Sequence, residues 1–213
     1  MKKLFSANCL VFILSLSYFS PAVAVTIGFE PASKTASVGD FIDIDIVVSG
    51  LSVAGEIVSA YDLFVGYDAT VLSATGVTFG NFLDDSLFLS TQFDDIGNAG
   101  LLEIGEVSFL FDDELSAIQP DSFVLATMSF NTLMAGSSDL FFEPHPFFGV
   151  NDIKGKNVEI LTLDVDVGRI EVTAPPVSVI EPNSLILFLA GLVIIAFSSF
   201  RSSNRIGNEI VNL

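Results

Sequence analysis

In Phe41-Ile42-Asp43-Ile44-Asp45-Ile46-Val47-Val48 the apolar and acidic residues alternate with a period of two. In an extended chain that places Ile42, Ile44, Ile46 and Val48 on one face and Asp43 and Asp45 on the other, so one face is buried and one is wet. Half-buried runs of the same kind occupy residues 61–67, 102–111, 123–131 and 158–167, separated by Gly and Asx clusters. In the last run Leu161, Leu163, Val165 and Val167 alternate with Thr162, Asp164 and Asp166, then the phase slips to Ile170 and Val172 across Gly168. That slip predicts a β-bulge. Between the two chain ends, no window of helical length carries a 3.6-residue apolar stripe. The expected fold is all-β, a mostly antiparallel sandwich.

Both ends of the chain read as addresses. Lys2-Lys3, an apolar stretch over residues 9–19, Pro21 and Ala22-Val23-Ala24 make a secretory signal over residues 1–24, with signal peptidase expected to cut after Ala24. The single cysteine, Cys9, leaves with it, so the mature chain has no thiol for disulfides, zinc-thiolate sites or nucleophilic catalysis. At the other end residues 185–197 are all apolar and 198–200 prolong the run. A helix over 185–200 would be about 24 Å long, a marginal span of a hydrocarbon core of about 30 Å. Arg201 and Arg205 follow it, which fits a cytoplasmic tail over 201–213 and an exported chain before it. Residues 174–184, with Pro175-Pro176 and Pro182, form a stiff linker.

A Pro-rich linker, a Glu-Pro pair, one short apolar helix and terminal arginines resemble the PEP-CTERM sorting signal that exosortases recognise. Glu181 and Pro182 match its motif, Ile180 stands where the first proline is usual, and residues 202–213 prolong the tail. The resemblance implies cleavage near this motif, with release or re-anchoring of the exported domain. An uncleaved single-pass anchor is the alternative.

Residues 25–173 remain, enough for one domain with a substantial core. They hold 24 acidic residues against Lys34, Lys154, Lys156 and Arg169, a net charge of −20. Such a surface stays soluble, draws cations and repels polyanions, and the excess of acid excludes a nucleic-acid partner. With a mean hydropathy of +0.67 the chain is too apolar to be disordered.

Val38-Gly39-Asp40-Phe41 opening a strand, Val48-Ser49-Gly50-Leu51, Tyr61-Asp62-Leu63-Phe64-Val65-Gly66-Tyr67-Asp68 and Val71-Leu72-Ser73-Ala74-Thr75-Gly76-Val77 are similar to cohesin domains. Leu125-Ala126-Thr127-Met128-Ser129-Phe130 and Gly136-Ser137-Ser138 fit the second half of that family. The resemblance implies a nine-stranded jelly roll related to cellulose-binding modules, in a family whose members bind dockerins. It carries over no contact residue. Residues 81–100, with Asp84-Asp85 and Asp94-Asp95, read as an insertion.

No catalytic constellation is visible. The one histidine, His145, is clamped in Glu143-Pro144-His145-Pro146 and reads as a constrained loop. There is no G-x-S-x-G elbow and no phosphate-cradling glycine loop, and without a second histidine or a thiol a catalytic metal lacks nitrogen and sulfur ligands. No cofactor is expected. Calcium is the one ligand chemistry the composition supports, with Asp84, Asp85, Asp94, Asp95, Asp112 and Asp113, beside Glu114, as oxygen donors in loop-like segments.

The chain therefore reads as an exported, non-enzymatic binding or adhesion module of the cell envelope or extracellular matrix, with a protein or polysaccharide ligand. It is held at the inner membrane by its C-terminal helix until that end is processed. Two alternatives stay open. One is a carbohydrate-binding module of a polysaccharide-degrading system, which needs a flat strip of exposed aromatics drawn from Tyr61, Tyr67 and the phenylalanines. The other is a membrane-tethered surface domain stabilised by calcium. A glycosidase would need paired carboxylates exposed in a cleft.

Overall fold

The computed structural model describes residues 24–84, 89–144, 152–175 and 188–194. The chain divides into two compact units, one ending at Pro175 and one running from Pro176 to Leu213. The described residues of the first form twelve strands. In chain order they are β1 (Val25–Glu30), β2 (Ser33–Ser37), β3 (Phe41–Ser49), β4 (Ala60–Gly66), β5 (Leu72–Phe79), β6 (Ser90–Asp95), β7 (Leu101–Ser108), β8 (Ser122–Thr132), β9 (Gly136–Glu143), β10 (Asp152–Lys154), β11 (Leu163–Val165) and β12 (Gly168–Thr173). Two short helices, α1 (Leu51–Ala54) and α2 (Asp112–Ile118), and a 3-10 turn at Lys156–Val158 lie between them.

The strands form two sheets, ordered β11-β1-β3-β8-β5 and β2-β12-β9-β4-β7-β6, with β10 also on β4. This is the expected all-β, jelly-roll-like sandwich. Twelve strands reduce to nine when three interrupted pairs are rejoined. β9 and β10 lie along the same edge of β4, pairing with Phe64–Gly66 and Ala60–Asp62 respectively. β1 and β2 are one extended stretch that changes sheets near Pro31, a residue that has no ladder donor. β11 and β12 mirror that change, each running parallel to its N-terminal counterpart.

The last crossover corrects one expectation. The phase slip at Gly168 is not a bulge: residues 166–167 carry the chain from the smaller sheet to the larger, so the buried side is exchanged with the sheet. Register shifts occur instead between Ile46 and Val47 of β3 and between Ala74 and Gly76 of β5, both against β8. Within residues 81–100, which read as an insertion, β6 is a strand at the edge of the larger sheet, pairing with Glu103–Ser108 of β7.

The alternation of β3 is realised as read. Ile42, Ile44, Ile46 and Val48 are buried, together with Ile27 and Phe29 of β1 and Met128 and Phe130 of β8. Leu63, Val65, Leu102, Ile104, Leu140 and Ile170 face them from the larger sheet. Each such side chain contributes about 1.5–3 kcal/mol by leaving water. Phe29 stacks on Phe142 at 4.5 Å between ring centroids, and Tyr67 meets Phe130 edge-on at 5.3 Å, so ring pairs join the two layers.

In the second unit residues 188–194 are helical, and Phe188, Leu189, Leu192, Val193 and Ile194 are exposed. Among the described residues no helix is long and apolar enough to cross a membrane. The rest of the expected span, Glu181 and Pro182 of the sorting motif, Arg201, Arg205, Ala22 and His145 lie outside the described residues.

Candidate functional site: the outer face of the larger sheet

The two outer faces differ in chemistry. On the smaller sheet Asp43 and Asp45 sit opposite Ser129 and Thr127, whose hydroxyls donate to the carboxylates at 2.6 Å in both cases. The centre of that face is a polar ladder; Phe41 is exposed at one end, and Val167, also exposed, lines with Val47, Thr26, Ser49 and Ser122 a groove of about 420 Å³.

On the larger sheet, register fixes which side chains share the outer face. One row across the strands is Lys154, Ala60, Val107 and Thr91, and the next is Asp152, Asp62, Gly105 and Phe93. A third is Glu143, Phe64, Glu103 and Asp95. Two glycines are roofed by rings. A Cβ on Gly105 would lie 2.2 Å from the Phe93 ring, and one on Gly66 2.6 Å from that of Phe141. Lacking side chains, these positions let Phe93 and Phe141 lie over the backbone, where each is still 40% exposed. Carboxylates dominate the rows, and Lys154 is tied to Asp152 at 2.7 Å.

At one end this face opens into a groove of about 540 Å³. Ala60 and Val107 form its floor, Leu110 and Phe111 one wall, and Val158 the other, with Asp112 and Asp113 at the rim. Phe111 and Val158 are among the most exposed apolar side chains of the domain, at 75% and 67%, and Phe109 beside them is also exposed. Glu114 accepts the Phe111 N–H at 2.8 Å and so fixes the start of α2, whose Leu115 is its buried anchor. Asp112 accepts the Asn157 N–H at 2.9 Å and ties the 3-10 turn to the helix. That turn is strained. Asn157 and Val158 have φ of 54° and 61°, a conformation an asparagine tolerates and a β-branched side chain resists.

Beneath this face lies a polar group that the sequence reading missed. Glu106 is fully buried, pointing inward with Leu102 and Ile104. Its carboxylate accepts Gln92 Nε2 at 2.8 Å and faces the Tyr61 hydroxyl at 3.3 Å, while that hydroxyl also reaches the Leu125 carbonyl at 3.1 Å. Burial first, and the adjacent Glu106 second, push the Tyr61 phenol far above its ordinary pKa and hold it neutral. The signal was present: Glu106 is two residues from Ile104 and four from Leu102, on the buried phase of β7.

The acidic residues named from sequence occupy separate places. Asp84 accepts the Leu89 N–H at 3.1 Å, and Asp85 lies outside the described residues. Asp94 and Asp95 are on the edge strand β6, where Asp95 closes a turn by accepting the Gly97 N–H and the Asn98 side chain. Asp112 and Asp113 begin α2 rather than occupying a loop. Among the described residues no group of three or more His, Cys, Asp or Glu side chains is placed to hold a metal ion. Tyr61 and Tyr67, named for an aromatic strip, are both buried.

The protein-family model described as the Cohesin domain matches residues 27–161 of the chain. Solved structures with the same fold include the sixth cohesin of scaffoldin B from Acetivibrio cellulolyticus, in complex with a mutant Cel5 dockerin. It has 15% identity and a TM-score of 0.55 over 71% of this chain and 100% of that one. A cohesin–dockerin complex from Clostridium thermocellum has 13% identity and a TM-score of 0.54, again over 71% and 100%. A cohesin from Clostridium acetobutylicum has 18% identity and a TM-score of 0.52, over 70% and 91%. No curated protein matches the chain.

Proposed function

The chain belongs to the cohesin domain family, and from that premise we propose that it is an exported, non-enzymatic module that binds a protein through the outer face of its larger sheet. The observation that carries this reading is the groove-ended face itself. Phe93, Val107, Phe109, Phe111, Phe141 and Val158 stay exposed there, whereas on the opposite face the Asp, Ser and Thr ladder leaves Phe41 and Val167 as exposed large apolar side chains. Exposed apolar groups set among charges characterise protein contact surfaces. The dockerin complexes of the similar structures support a dockerin-like partner for this chain. A strip built for sugar stacking draws less support, because both tyrosines are turned into the core.

Affinity capture from the native host tests the face. Wild-type domain and a Phe41→Asp variant are expected to retain the same protein, and a Val107→Asp/Phe111→Asp variant to lose it. Equal retention by all three would sink the assignment to this face, and retention of a polysaccharide instead would favour the carbohydrate-binding alternative.

For the two ends, the reading is export under the N-terminal signal with cleavage after Ala24, then exosortase processing near Glu181 and Pro182 while the helix over 185–200 holds the chain at the inner membrane. The A-x-A site and the run from Pro-rich linker to Arg201 and Arg205 support it. Intact mass of the protein from its host decides the matter. Loss of both ends supports sorting, and a mass that retains the C-terminal helix makes this a membrane-tethered domain whose partner lies at the cell surface.

A further inference from the structure

The groove at the end of the larger sheet has a more specific chemistry than the face as a whole. Its lining is mostly apolar, from Ala60, Val107, Leu110, Phe111 and Val158 with Ser59 and Ser108 between them, and its rim is acidic. The cations at this end are already engaged: Lys154 pairs with Asp152 and the Lys156 ammonium donates to the Gly55 carbonyl. Of the three acids in the first turn of α2, Asp112 is committed to the Asn157 N–H and Glu114 to the Phe111 N–H. Asp113 is exposed and has no hydrogen bond or ion pair among the described residues. A mostly apolar hollow beside an uncompensated carboxylate, on a domain of net charge −20, complements an apolar side chain accompanied by a cation.

We propose that this groove seats one leucine-sized side chain of the protein partner, and that a lysine or arginine next to it in the partner's sequence pairs with Asp113. The proposal rests on the protein-binding reading above and specifies the partner's contact residues. The same charge argues against the other occupants. A second copy of the domain would bring its own acidic rim to this one, and anionic lipid headgroups would be repelled. A sugar ring would find no Trp or Tyr to stack on among the groove-lining residues.

The test uses the full chain in detergent micelles with labelled Leu and Val methyls, and a nine-residue peptide in which a single leucine stands between two lysines. Resonances of Val107, Leu110 and Val158 are expected to shift with this peptide. They should stay unmoved by peptides in which the leucine is serine or the two lysines are glutamate. Asp113→Asn should weaken binding about two- to fivefold, the range that one exposed ion pair supplies. Equal shifts with the glutamate peptide, shifts confined to other methyls, or no shift would overturn the proposal. So would concentration-dependent movement of the same methyls without peptide, which would assign the groove to a second copy. Failure here is distinguishable from failure of the protein-binding reading. If Val107→Asp/Phe111→Asp abolishes capture of the native partner while the peptide shifts nothing, the face stands and the groove's assignment falls.

Discussion

Replacing Val158 with asparagine is expected to stabilise the domain while weakening its hold on a groove ligand. The backbone at 158 has φ of 61°, where a non-glycine residue costs about 1–2 kcal/mol because Cβ crowds the following carbonyl oxygen. Asparagine adopts this region with less penalty. Valine at 67% exposure keeps only a third of its surface from water, so about 0.5–1 kcal/mol of burial is lost on substitution. The net gain is about 0.5–1 kcal/mol. With unfolding entropy of about 2.1 cal/mol/K per residue, residues 25–173 should then melt about 2–3 °C higher. Calorimetry on Val158→Asn, Val158→Gly and Val158→Ala checks this, because alanine loses the same packing and keeps most of the strain. Asparagine should raise Tm, glycine should raise it less because of its freer unfolded chain, and alanine should lower it. The leucine peptide should bind more weakly to all three. Asparagine and alanine falling together would refute the strain argument, leaving Val158 an ordinary exposed side chain.

Gly80 makes a sharper steric case, since a Cβ there would stand 2.1 Å from the Val124 carbonyl oxygen. Gly80→Ala must push β5 from β8 and should lower stability by more than about 3 kcal/mol in denaturant titration, at the severe end for one substitution. Asp68 accepts hydrogen bonds from the Thr70 hydroxyl at 2.7 Å and backbone N–H at 2.8 Å, which hold its pKa below the ordinary carboxylate value. Its stabilisation is present above the unfolded-state pKa and is lost as pH falls through the lower folded value. NMR titration of Thr70→Ala should show the Asp68 pKa move back up. Tyr61, whose pKa is raised, stabilises the fold fully below its unfolded-state pKa near 10 and loses that contribution as pH rises. Alkaline absorbance titration should register no Tyr61 phenolate before the domain unfolds, and an early two-tyrosine signal would show that the Glu106 environment is open to water.

The layers of the sandwich were legible because a period of two is a local property. Each of Ile42, Ile44, Ile46 and Val48 is buried by the face its neighbours define, and no distant residue is needed to read it. Crossovers are a different matter. The slip at Gly168 looks in sequence like a bulge, since both reverse the buried phase. Only the partners, β1 for β11 and β9 with β2 for β12, reveal that the chain has changed sheets. Residues 90–95 were unreadable as a strand because both sides of an edge strand can be wet, and every residue of β6 after Ser90 is exposed.

The groove is the least legible feature, and the reason bears on what it does. Its floor comes from β4 and β7, its walls from the residues after β7 and from the turn at 156–158, three segments that nothing in the sequence joins. Asp112-Asp113-Glu114 reads as an acidic cluster and therefore suggests a cation, yet in the fold these residues open a seven-residue helix anchored only by Leu115. Two of the carboxylates are thereby consumed in bonds to backbone N–H groups, Glu114 within its own helix start and Asp112 across to the 156–158 turn, and the third is left at the mouth of a mostly apolar hollow. A scaffold residue and a recognition residue thus stand next to each other in sequence, with identical side chains and opposite roles. If that division is right, Asp112→Asn should loosen the 156–158 turn and lower Tm, because it weakens the bond to the Asn157 N–H. Asp113→Asn should leave Tm unchanged and affect only binding. Equal thermal effects from both would mean that neither is specialised, and the acidic rim would be solvated surface.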